Sequence, residues 1–214
     1  MHLRKQFSYP DKQGLYDPVF ERDSCGIGFV AHVKGERSHQ ILSDAYQALT
    51  NMDHRGARGC EPNTGDGAGI LTGLPYEFLV RVAREELKTG LPEPGKLGAG
   101  LVFLPTKKEE RQQCKQAVEK IINEQGQNLI GWRKVPTDKK AADLGPSAQL
   151  CEPYIEQILI GAGSGLTSED FERKLYLIRK SSSHLLRNDL SMKQAKAFYI
   201  CSLSTKLIVY KGML

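Results

Sequence analysis

Short apolar runs that carry glycine alternate along this chain with longer amphipathic stretches. This switching between a period of two and a period near 3.6 restricts the chain to folds that mix sheet and helix. Residues 25–33 set apolar side chains against glycine and other small residues, the pattern of a buried strand with close neighbours. In residues 39–52, Ile41, Leu42, Ala45, Leu49 and Met52 fall at helical spacing. Residues 70–74 read as a short strand stopped by Pro75, residues 76–88 as an amphipathic helix, and residues 97–104 as a second buried strand. A long amphipathic helix over 107–125 turns Val118, Ile121 and Ile122 to one side, and a strand over 128–135 surrounds Trp132.

The stretch 136–153, rich in Pro, Lys, Ala and Asp, reads as an irregular connection before a strand over 156–161. Thr167 followed by Asp170 resembles a capping box, with Asp in place of the usual Glu or Gln, and opens a helix that runs to about Leu186. Residues 197–203 and 207–210, joined by Ser204, Thr205 and Lys206, read as a hairpin. The class is therefore α/β or α+β.

At 214 residues and 40% hydrophobic, the chain has enough apolar sequence for a sizeable core. Its formal charge of +5 is spread among acids, as in the run from Lys107 to Arg111, so it reads as solvated helix faces. No basic stripe with interleaved aromatics points to nucleic acid. No apolar run approaches the ~18 residues of a membrane helix. Cysteines 25, 60, 114, 151 and 201 are odd in number and contain no Cys-x-x-Cys pair, so neither a zinc site nor a disulfide framework is expected. A soluble protein of the reducing cytoplasm fits these features.

Residues 1–24 are polar, broken by Pro10, Gly14 and Pro18, and show neither period; they read as an extended leader without the apolar core of a secretory signal. The character changes at Cys25. A lone cysteine in a strand is ordinarily inert core. Here Cys25 stands at the break itself, and Gly26 and Gly28 leave room for a substrate to approach the backbone. A cysteine that becomes the first residue of a mature chain carries its own base. The α-amino group ionises near ~8 and the thiol near ~8.5, so the amine can take the thiol proton near neutral pH. While Ser24 is still joined to Cys25, that nitrogen is an amide and accepts nothing. Cys25 is thus the candidate nucleophile, and residues 1–24 a segment whose removal activates it.

Downstream, Asp53-His54-Arg55-Gly56-Ala57-Arg58-Gly59 is followed by Thr64-Gly65-Asp66-Gly67-Ala68-Gly69-Ile70. Guanidinium groups in a glycine-rich turn can bind a carboxylate or orient a nearby loop. The glycines match neither a phosphate loop nor a dinucleotide fingerprint, and in isolation read as a turn cluster. His54 beside Cys60 lacks the second ligand pair that a metal site needs.

Cys-Gly-Ile-Gly-Phe at 25–29 and His-Arg-Gly-Ala at 54–57 together resemble the class II glutamine amidotransferases. The run from Leu49 to Ala57 and the run from Thr64 to Leu71 are similar, within that class, to the amidotransferase domain of the large subunit of the glutamate synthases. The resemblance covers residues 15–75 closely. It implies a partial α+β domain of the N-terminal-nucleophile hydrolase type, a four-layer αββα sandwich, over 25–214. It implies removal of residues 1–24, attack of Cys25 on the side-chain amide of glutamine, and a γ-glutamyl thioester that water resolves to glutamate. The ammonia would pass to 2-oxoglutarate in a parent enzyme that carries FMN and an iron–sulfur cluster, neither of them in this piece. Partners so implied are glutamine, the remainder of the synthase chain and a small reductase subunit.

Carried over to this sequence, Arg55 lines the site and holds the cysteine loop or the substrate, and Gly56 allows the tight turn. The family's Asn-Gly oxyanion donors are expected past Leu214, since no Asn-Gly occurs here. Losing one such donor costs on the order of 10²–10³ in rate, so this stretch alone is expected to be inactive. Two alternatives stand beside this reading. One is a different N-terminal-nucleophile cysteine amidohydrolase, and the other a fragment with the fold but no activity.

Overall fold

The computed structural model describes residues 12–14, 26–53, 61, 65, 67–188 and 197–213. Described residues up to Ala68 and beyond Gly212 group apart from a compact unit of residues 69–212. In the first group, helix α1 (His39–Asn51) is opened by Ser38, whose side chain accepts from the Ile41 N–H, and is closed at Met52. The hydroxyl satisfies one of the amide donors that every helix start leaves unpaired.

The second unit is built on a four-stranded antiparallel sheet. Its strands are β2 (Leu97–Leu104), β3 (Asn128–Lys134), β4 (Tyr154–Gly161) and β5 (Tyr199–Ser204), in the order β3-β4-β2-β5. Central β2 and β4 pair over their full lengths, from Leu97 opposite Gly161 to Leu104 opposite Tyr154. This antiparallel pairing takes the α+β alternative. Neighbouring residues on β4 serve opposite faces: Ile158 and Ile160 enter one core, and Leu159 enters the other.

The first core lies beneath α3 (Lys108–Glu124) and α6 (Ser168–Asn188), which insert Cys114, Val118, Ile122, Phe171, Leu175 and Ile178 against the sheet. Glycine makes the close approach possible, since a Cβ at Gly98 would stand 2.6 Å from Leu175 Cδ1. The second core lies on the opposite face. There Leu79 and Val82 of α2 (Tyr76–Val82), Ala83 of the π-helical turn that continues it (Ala83–Leu87) and Ile208 of β6 (Leu207–Met213) meet Leu97, Ala99 and Leu159. Strand β6 pairs with β1 (Gly67–Gly73) in a separate two-stranded sheet. Arg133, 7% exposed on β3, is held by two hydrogen bonds to Glu86, of 2.9 and 2.8 Å. The capping pattern at α6 forms as a variant: Thr167 Oγ1 accepts from the Asp170 N–H at 3.1 Å and donates to the Asp170 carboxylate at 2.6 Å.

Three expectations change. Residues 197–203 and 207–210 are not a hairpin, because β5 and β6 belong to different sheets and the chain turns a corner between them. Thr205 anchors that corner to α6, and the Ser204 hydroxyl accepts from the Lys206 N–H at 3.0 Å. Residues 26–33 form no strand: they enter no ladder, and Ile27, Phe29 and Val33 are exposed. Alternation supplies one apolar face, but a strand needs a neighbour for its backbone groups, and none of the described strands pairs with it. Residues 136–153 contain two short helices, α4 (Lys139–Ala142) and α5 (Pro146–Cys151). Asp138 caps the first by accepting from the Lys140 and Ala141 N–H groups, and Pro146 opens the second, where its missing N–H costs nothing.

Candidate functional site

The candidate residues Cys25, Arg55 and Gly56 lie outside the described residues, as does His54. The elements on either side of them are described. Gly26 to Phe29, next along the chain from Cys25, are exposed and carry no regular secondary structure. Helix α1 ends at Asn51 and delivers the chain to Asp53, the residue before His54. Positions 28 and 52 are far apart in sequence, yet a Cβ built at Gly28 would lie 3.8 Å from Met52 Cε. The segment behind Cys25 therefore packs beside the helix end that leads into the His-Arg-Gly run.

The second glycine run continues directly into β1 at Gly67. At Gly69 the backbone of β6 comes so close that a Cβ would stand 2.8 Å from the Tyr210 carbonyl oxygen. At the other end of the pair, the Leu74 N–H donates to the Lys206 carbonyl at 2.9 Å. Gly69 is thus a requirement of strand packing, which the turn reading of the glycines did not find. Its signal was the Gly67-Ala68-Gly69 alternation, the sequence mark of a strand that another backbone approaches closely.

Two of the other cysteines are structural. Burial, then the neighbouring Glu110 carboxylate, pushes the Cys114 thiol up to about 11. Burial also raises the Cys201 thiol, against the pull of Lys211 and Arg179. Neither supplies thiolate at neutral pH, and the thiolate is the nucleophilic form. Cys151 is exposed on α5. Among the described residues no three His, Cys, Asp or Glu side chains gather as a metal site. No helix among the described residues is long and apolar enough to cross a membrane.

The sequence profile described as "Glutamine amidotransferases class-II" matches residues 25–214. The chain belongs to this family. It is 42% identical over 207 residues to the glutamate synthase (NADPH) large chain of Bacillus subtilis, covering 96% of this chain and 13% of that protein. It is also 42% identical over 211 residues to the glutamate synthase (NADH) of Schizosaccharomyces pombe, covering 96% of this chain and 10% of that protein. Ferredoxin-dependent glutamate synthase 2 of Synechocystis is 36% identical over 195 residues, covering 91% of this chain and 12% of that protein. The chain therefore spans only between 10% and 13% of the length of these relatives.

Proposed function

We propose that this chain is the glutaminase part of a glutamate synthase, with Cys25 as its nucleophile and residues 1–24 as a removable leader. One observation carries the reading. The family match starts at Cys25, and the segment behind Cys25 packs on the helix end that leads into His54-Arg55-Gly56. Removal of the leader frees the Cys25 α-amino group, which takes the thiol proton. The thiolate attacks the side-chain amide carbon of glutamine. The carbon–nitrogen bond breaks, the protonated amine returns its proton to the leaving nitrogen, and ammonia departs from a γ-glutamyl thioester. Water then attacks the thioester with the amine as base, releasing glutamate and restoring the thiol.

Arg55 lines this site and holds the cysteine loop or the substrate, and Gly56 permits the turn that brings Arg55 in. The fold of 25–214 is read as part of a four-layer αββα sandwich. Helices α3 and α6 on one face of the large sheet, and the β1–β6 sheet on the other, support that reading. In the parent, the ammonia is transferred to 2-oxoglutarate. FMN and an iron–sulfur cluster belong to other parts of it, a small reductase subunit is a partner, and the enzyme works in the cytoplasm, a reading that the absence of paired cysteine motifs in this sequence supports.

The test uses the full-length parent. Its mature N-terminus should read Cys-Gly-Ile-Gly-Phe, and Cys25→Ala should abolish glutamine-dependent synthesis while sparing synthesis from added ammonia. Normal use of glutamine by the Cys25→Ala enzyme would overturn the proposal.

A further inference from the structure

We propose that the outward face of helix α6 is a docking surface for the remainder of the parent synthase chain, taking an acidic surface of it. This rests on the reading above that the chain is the glutaminase part of a glutamate synthase.

Helix α6 has two faces with different uses. Phe171, Leu175, Ile178, Ser182 and Leu186 are buried, and the apolar four enter the first core. At about 3.6 residues per turn, the opposite face carries Tyr176, Leu177, Lys180, His184 and Arg187. All five are exposed. Tyr176, Lys180 and Arg187 form one row along the helix, and Leu177 and His184 the row beside it. Tyr176 is 56% exposed and Leu177 43%, so two adjacent large side chains have apolar area still to bury.

The charges on this face ask for acceptors. Other cations of α6 are engaged: Arg173 lies 2.8 Å from Asp170, Lys174 donates to Gln125 Oε1, and Arg179 donates to the Ile200 carbonyl. Lys180 and Arg187 have no ion-pair or hydrogen-bond partner among the described residues. They line a concavity of about 370 Å³ with Ser183, His184 and Asn188. The Asn188 amide donates to His184 Nδ1 at 2.6 Å, which leaves Nε2–H as a further outward donor. The Ser183 hydroxyl is spent on the Arg179 carbonyl. A row that offers two cations and an imidazole N–H is complementary to carboxylates.

Size decides between a tethered and a separate occupant. Stable association of separate proteins buries about 1,200–2,000 Å² in total, more than one helix strip of five side chains supplies. A partner on the same chain is held at high effective concentration and needs less. Such a partner exists in the parent, because this chain spans only 10–13% of the length of its glutamate synthase relatives.

The experiment is zero-length carbodiimide coupling of the full-length parent, read by peptide mass spectrometry on a mixture of isotopically labelled and unlabelled copies. Lys180 should be joined to an Asp or Glu outside residues 1–214 of its own copy. Arg187→Glu should cut that product about five-fold by placing a carboxylate where the occupant's acids sit, and Leu177→Asp should do the same. Both positions are exposed, so ammonia-dependent synthesis should stay at the parent's rate. No product at Lys180, or a product only with a second copy, a separate subunit or residues 1–214, overturns the proposal. So does an unchanged yield in both variants, since Lys180 would then be coupling to carboxylates in passing. Cys25→Ala tests the underlying reading separately. Retained glutamine use in that variant sinks the glutaminase reading, whereas its loss beside an uncoupled Lys180 sinks only the docking face.

Discussion

Glu172 of α6 accepts two hydrogen bonds from Thr205, one from its backbone N–H at 2.8 Å and one from its hydroxyl at 2.7 Å. Thr205 stands where the chain leaves the four-stranded sheet as β5 and enters the two-stranded sheet as β6. One carboxylate therefore anchors the corner that assigns the two strands to different layers. A helix carboxylate meeting a turn N–H is a charge-assisted bond, stronger than a neutral one.

Glu172→Ala should destabilise the folded chain by about 1–3 kcal/mol, since it leaves the Thr205 donors without their acceptor. Thr205→Val, which keeps the shape and the backbone donor, should cost less. Denaturant unfolding of the two variants checks the order. Equal, negligible costs would show that the corner stands without the carboxylate.

The glycines of β2 should be unequal in their tolerance of a methyl group. At Gly100 a Cβ would fall on the Ser202 carbonyl oxygen, a backbone atom of the paired strand. At Gly98 it would meet the end of the Leu175 side chain, which can turn aside at some cost in packing. Gly100→Ala should therefore cost more than Gly98→Ala, with overpacking of this kind worth about 1–3 kcal/mol or more. Thermal unfolding of the two variants decides it, and a larger loss for Gly98→Ala would contradict the close pairing of β2 with β5.

Thiol chemistry should follow burial. Cys151 should react with iodoacetamide at neutral pH in the native protein, and Cys114 and Cys201 only after denaturation. Peptide mapping of the alkylated sites reads this directly. The same burial predicts a loss of stability in alkali. The Cys114 thiol is raised in the folded protein from 9.0 to about 11, so its contribution is complete below 9.0. As pH rises toward about 11 the unfolded chain ionises first, and the loss is on the order of 2–3 kcal/mol. Cys114→Ala should flatten that part of the stability–pH curve; an unchanged slope would contradict it.

Much of the fold was legible in local pattern. Residues 97–104 read as a strand and are β2, and the apolar stripe of Val118, Ile121 and Ile122 does face the core from α3. The Thr167–Asp170 pair opens a helix as read, because a cap depends only on residues within one turn. What was not legible is membership. Residues 199–204 and 207–213 look like hairpin arms by every local sign, yet they part because Glu172 and the two cores act on them from far away in sequence. The run at 26–33 shows the reverse failure: an alternation without a described partner remains an exposed segment.

The candidate site divides in the same way. By itself the sequence offered the residues on which the proposed chemistry rests: a cysteine where a polar stretch ends, an Arg beside glycine, and motifs specific enough to indicate the family. Those signals are covalent and local, so no fold is needed to see them. Only the tertiary structure decided that Gly28 lies against Met52 and that Gly69 lies beneath Tyr210. It also decided that Gln157 sits buried on β4, opposite Leu101 of β2 and Arg133 of β3. Such pairings are set by which surfaces bury together, and no period or motif along a single chain records that choice.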